Sequence, residues 1–136
     1  MIVKGKNGEV SRNLNDPKIR ISIGQKEIVF MAMPATQMEK KKIGSMMAHV
    51  KNMFRGVQVG INYKLKICSG HFPMNVSSSG KQFIVKNFLG EKVPRVLELS
   101  EKVKIKVEGD HITVDGNDKE LVSQTAASIE TLTRRV

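Results

Sequence analysis

Cys68 and His71 stand three residues apart, a spacing that suits a shared metal or a thiol–imidazole pair acting as nucleophile and base. A structural zinc site needs two more ligands, and only His49 and His111 remain. The hydropathy pattern puts the first on a helix and the second on a hairpin, so no metal is expected. A small residue at a strand end, followed by the turn His71-Phe72-Pro73, accounts for the pair without chemistry. Asp115-Gly116-Asn117-Asp118 has the acidic look of a calcium loop but lacks the alternating oxygen ligands and the terminal glutamate. A turn that caps a helix explains it better. Neither GxxxxGK[ST] nor GxGxxG occurs, so no nucleotide and no other cofactor is expected. One enzymatic reading stays open, a small Cys68–His71 hydrolase.

Cationic chemistry is far better supplied. The 136 residues hold 23 Lys plus Arg against 13 Asp plus Glu, a formal charge of +10 that points to a polyanionic partner. Residues 1–56 carry net +7, residues 57–97 net +5, and residues 98–130 net −4. In the middle stretch Lys64 and Lys66 share one face of a strand, and Lys81, Lys86, Lys92 and Arg95 gather around another strand and its loop, where Asn87 adds neutral hydrogen bonding. Glu91 is the only acid between 57 and 97. Lys40-Lys41-Lys42 open a helix, where cations oppose the macrodipole, so they are a secondary place for an external anion. Aromatic residues make up only 4% of the chain. Readers of single strands stack bases on aromatic side chains, so contacts to the backbone of folded nucleic acid fit better.

The elements that must hold these residues are legible from periodicity. Ile19, Ile21 and Ile23 alternate with polar residues, turn at Gly24, and return through Ile28-Val29-Phe30. Val103, Ile105 and Val107 do the same, turning at Gly109 into Ile112 and Val114. Both read as half-buried β-hairpins. A third alternation, from Val57 through Ile67, predicts a long strand. Each hairpin is followed by an apolar stripe at helical spacing: Ile43, Met46, Met47, Val50 and Met53, then Val122, Thr125, Ala126, Ile129 and Leu132. Thr36 with Glu39, and Asn117 with Glu120, are the expected caps. Ser77-Ser78-Ser79-Gly80 reads as a turn before a strand from Lys81 to Lys86. The expected fold is α+β, with two tandem related repeats, each an antiparallel sheet packed on one helix. The expected division is 1–56 and 57–136.

Three separated stretches resemble one family. They are His71-Phe72-Pro73-Met74-Asn75-Val76, then Lys86-Asn87-Phe88-Leu89-Gly90-Glu91-Lys92, then Asp115 through Ala127. All are similar to the large-subunit ribosomal protein L-six family in its archaeal and eukaryotic form, called L-nine in eukaryotes. Val3 through Arg12 resembles the family's N-terminal glycine turn. The resemblance implies two related α+β domains and a structural, non-catalytic role. It also implies binding to large-subunit rRNA near the sarcin–ricin loop and the base of the factor-binding stalk, chiefly through the C-terminal domain. The implied partners are rRNA, neighbouring large-subunit proteins and translation factors nearby, with no membrane and no small-molecule substrate, on cytoplasmic ribosomes. The expected rRNA-binding set is Lys64, Lys66, His71, Lys86, Asn87, Lys92 and Arg95, together with Arg134 and Arg135 at the C-terminal end. Members usually have a strand before the glycine turn and a basic tail after the last helix. This sequence begins almost at the turn and stops at Val136, so both are expected to be missing or reduced. A free-standing RNA or DNA chaperone is the alternative from outside the ribosome.

Overall fold

The structure, a computed structural model, describes residues 1–134. It is α+β and repeats a theme of antiparallel strands followed by one helix. The first repeat holds β1 (Ile2–Gly5) paired with β2 (Gly8–Ser11), β3 (Ile19–Ile23) paired with β4 (Ile28–Ala32), and helix α1 (Gln37–Gln58). In the second, β5 (Ile61–Lys66), β9 (Val103–Glu108) and β10 (His111–Gly116) form a sheet in the order β5-β10-β9. A further sheet holds β6 (Asn75–Ser79), β7 (Gln82–Lys86) and β8 (Arg95–Glu98), and α2 (Lys119–Leu132) closes the chain. Every strand pair is antiparallel.

Both predicted hairpins form, and the second shows why its turn residue is glycine. Glu108 pairs with His111, so the turn has only two central residues, and Gly109 takes φ +56 at the first of them. The predicted stripes also face the cores, with differences at their margins. On α1, Val50, Met53 and Val57 are buried while Met47 remains 43% exposed. On α2, Val122, Ala126 and Ile129 are buried.

Four expectations need correction. The long strand does not begin at Val57: α1 continues to Gln58, and Val57 is 1% exposed beneath β1 and β2. Burial on a helix face selects the same residue types as burial on a strand, so alternation over a few residues did not separate the two. The second helix is capped by Asp118, whose carboxylate accepts from the Glu120 amide at 3.0 Å; Asn117 serves elsewhere. Ser77, Ser78 and Ser79 lie within β6, and the turn falls at Gly80 and Lys81. A strand does precede the glycine turn, since β1 pairs Val3 with Val10 and Lys4 with Glu9. The first cap is as expected. Thr36 N–H donates to Glu39 Oε2 at 3.2 Å, and its hydroxyl contacts the same carboxylate.

Two cores result. The first contains Val3, Val10, Met53 and Val57. The second joins Phe83 and Val85 to Val103, Ile112 and Val114, and to Val122, Ala126 and Ile129 of α2. The repeats meet where α1 ends. A Cβ built on Gly56 would lie 1.9 Å from the Asn117 carbonyl oxygen, an approach that only glycine allows. Asn117 donates through its side-chain amide to the Asn7 carbonyl, and Asn7 N–H donates to the Val57 carbonyl at 3.0 Å. Arg12 and Glu120 add an ion pair at 2.7 Å.

Candidate nucleic-acid interface

The loop after β7 is built from backbone that few residues adopt. Asn87 takes φ +58 and Leu89 φ +50, on either side of Phe88 in a short 3-10 turn, Phe88–Gly90. Asparagine tolerates the left-handed region; leucine is strained there, by roughly 1–2 kcal/mol. Leu89 nonetheless stays 53% exposed, so core burial does not explain the conformation. Strained, exposed backbone that persists must be held from outside the strained residues.

Arg95, the first residue of β8, does the holding. Its Nε and Nη2 donate to the two Glu91 carboxylate oxygens at 2.9 and 2.6 Å, a bidentate pair. Its Nη1 donates to the Leu132 carbonyl at the end of α2, at 2.7 Å. The guanidinium also sits 4.5 Å from the centre of the Phe88 ring. One side chain thus ties the loop to the C-terminus of α2. The hydrogen bond from Arg95, with its charge, holds the Glu91 carboxyl below its usual range, and Glu91 raises Arg95 in turn.

This clamp decides where the expected binding residues stand. Lys86, at the end of β7, and Asn87 and Lys92, in the loop, are exposed beside it. Arg134 lies two residues past the end of α2, after the C-cap Thr133, and its carbonyl is 3.5 Å from Arg95 Nη1. Those four residues share one end of the second repeat. Arg95 itself is occupied within the chain. Its donors face Glu91 and main-chain carbonyls, which suits a positioning role better than a phosphate contact. Arg135 lies outside the described residues.

Lys64 and Lys66 are exposed on the outward face of β5, beside that end rather than in the loop. His71 sits in the connection from β5 to β6, its ring edge-on to Phe72 with centroids 5.0 Å apart. Cys68 is exposed, and among the described residues no three His, Cys, Asp or Glu side chains converge as a metal site would need. Cys68 shares a cleft of about 280 Å³ with Met74, Phe88, Ile129 and Thr133, which confirms that loop, strand end and helix end adjoin. In the first repeat Lys42 pairs with Asp16 at 2.6 Å, while Lys40 and Lys41 stay exposed. That pair lowers Asp16 and raises Lys42, chiefly through the hydrogen bond between them.

The sequence reading missed residues that the sheet order supplies. Lys104 and Lys106 stand on the same outward face as Lys64 and Lys66, because β10 lies between β9 and β5. Alternation already marked them as outward-facing. Which strand would lie beside theirs was not in the periodicity.

Among the described residues no helix is long and apolar enough to cross a membrane. The family model described as Ribosomal protein L6 matches residues 1–60 and 72–136. Lys64, Lys66 and His71 therefore fall between the matched segments, whereas Lys86, Asn87, Lys92 and Arg95 fall within the second. Three archaeal relatives carry the name large ribosomal subunit protein uL6. The Aeropyrum pernix protein is 40% identical over 97% of this chain and 73% of its own length. The Nanoarchaeum equitans protein is 42% identical over 97% of this chain and 72% of its own length. The Haloarcula marismortui protein is 39% identical over 97% and 74%. Similarity of this extent, over both repeats and in the same order, means that the chain belongs to the ribosomal protein L6 family, whose members are structural rather than enzymatic.

Proposed function

We propose that this chain is a structural constituent of the large ribosomal subunit and holds large-subunit rRNA near the sarcin–ricin loop and the base of the factor-binding stalk. Its place is the cytoplasmic ribosome, beside other large-subunit proteins and within reach of translation factors. The observation that carries the binding mode is the clamped loop. Arg95 fixes strained backbone so that Lys86, Asn87 and Lys92 project from one rigid end, with Arg134 alongside. A fixed backbone presents these cations without a further ordering cost for the loop itself, which favours recognition of folded RNA by shape. In this reading the second repeat is the main rRNA-binding unit and the first is subsidiary, with the boundary after α1 ends at Gln58 rather than at residue 56, because Val57 belongs to the first core. Lys64, Lys66 and His71 extend the contact; Arg95 positions it.

The test is the double variant Lys86→Glu with Lys92→Glu, expressed in cells and followed on sucrose gradients before and after a high-salt wash. The native chain should sediment with the large subunit and survive moderate salt. The variant should fold normally and remain at the top of the gradient. Normal incorporation would remove the loop from the interface. A native chain that never enters a particle would instead favour the free-standing chaperone.

A further inference from the structure

The outward face of the β5-β10-β9 sheet has a charge pattern of its own. Its register sets three rows across the strands: Lys66, His111, Glu108; then Lys64, Thr113, Lys106; then Asn62, Asp115, Lys104. The two outer strands bear lysines, and the middle strand bears His111, Thr113 and Asp115. Strands spaced at about 4.8 Å put the lysine rows about 10 Å apart, and residues two apart on a strand are about 7 Å apart. Lys64, Lys66, Lys104 and Lys106 are all exposed. Among the described residues none of them takes part in an ion pair, whereas Lys4, Lys18, Lys42 and Lys81 each do. Two carboxylates share the face. Asp115 is engaged by the Asn62 amide, and Glu108 occupies one corner opposite His111.

We propose that this face binds the sugar–phosphate backbone of double-helical RNA, as a second surface beside the loop end. The proposal rests on the RNA-binding reading above and names the form of RNA that the sheet accepts. Sheets that read single strands display aromatic rings on which bases stack. Here the aromatic residue of β5, Tyr63, packs inward with Leu65, Ile105 and Val107 against the second core. What remains outward is lysine for phosphate, with Thr113, Asn62 and His111 to exchange hydrogen bonds with 2′-hydroxyls. The face can neutralise and register a duplex backbone, and the single imidazole of His111 at one edge is no row of rings on which successive bases could stack. At its lower edge it opens into a polar cleft of about 480 Å³, lined by Asn7, Asn62, Lys102 and Lys104, that carries the same chemistry to the junction of the repeats.

The experiment measures binding of the purified full chain to a fluorescent RNA hairpin duplex and to an unstructured single strand of equal length, across a salt series. Lys104→Gln with Lys106→Gln removes two cations at exposed strand positions, and thermal melting checks that folding is intact. The native chain should prefer the duplex. The variant should weaken duplex binding and flatten the log–log salt slope by about 1.8, from about 0.9 per lost phosphate contact. An unchanged slope in the variant overturns the sheet face, and so does equal native affinity for the single strand. Lys86→Gln with Lys92→Gln serves as the parallel arm. If that loop pair carries the whole salt dependence, the sheet proposal falls while the loop reading stands. If the native chain binds neither RNA yet still sediments with the large subunit, the sheet proposal falls and the ribosomal reading survives.

Discussion

The two repeats share a plan but not a core. Each sets a hairpin against a following amphipathic helix, yet the second adds β5 and the β6-β7-β8 sheet around its helix. Eight buried side chains then form one continuous cluster, against four in the first. The first repeat leaves Ile23, Val29, Met31 and Met38 more than a third exposed, and a cleft of about 490 Å³ separates the β3–β4 hairpin from Met47, Val50 and Phe54 of α1. Apolar burial is the main favourable term in folding, so the second repeat carries most of the stability. The rigid loop is built on that better-packed half. The comparison teaches that a local motif becomes a firm platform only when enough neighbouring strands cover both sides of its core.

Core truncation should break the comparison most visibly. Phe83, 1% exposed, lies in the core formed by β7, β9, β10 and α2, and Phe83→Ala should cost about 3–5 kcal/mol. Met53→Ala in the first repeat should lie nearer 2 kcal/mol, because fewer buried neighbours surround the cavity. Urea unfolding of both variants measures the difference; equal losses would mean the repeats are equally packed. Amide exchange adds the spatial view, with the first repeat expected to exchange sooner.

The junction comes next. Gly56→Ala would gain helix propensity worth about 0.5–1 kcal/mol, but the added methyl meets the Asn117 backbone. Overpacking typically costs about 1–3 kcal/mol, so the clash wins and the repeats should separate slightly. Ala substitution at exposed Gly44, where no atom lies within 4 Å of the new Cβ, should stabilise instead. Thermal melts of the two variants shifting in the same direction would contradict this.

The smallest effect is on the clamp. Arg95 lowers the Glu91 carboxyl in the folded chain, first by hydrogen bonding and then by charge. Its stabilising contribution is complete above the ordinary value of 4.5 and disappears as pH falls through the lowered folded value. Acidification below the ordinary carboxylate range should therefore loosen residues 87–95 before the second core opens. Glu91→Gln should produce the same loosening at neutral pH and lose the acid dependence. Exchange of the Glu91 amide, which donates to the Phe88 carbonyl at 2.9 Å, reports both.

Periodicity by itself determined the hairpins at Gly24 and Gly109, the two helices and the inward-facing residues of most strands, because burial of alternate or every third to fourth residue is written directly in residue type. The spacing of Lys86, Lys92 and Arg95 also marked the loop after β7 as rich in cations. Three things waited for the tertiary structure. Val57 alternates like a strand residue, and only its burial under β1 and β2 reveals it as the last inward residue of a helix. Arg95 looked like any loop cation until the end of α2, thirty-seven residues onward, supplied the carbonyl that occupies it. Lys64 and Lys106 met on one face because β10 inserts between their strands, a pairing that no local spacing encodes. The physical reason is common to all three. Local sequence sets which way a side chain points relative to its own backbone, whereas its partner is set by whatever distant segment the core brings alongside.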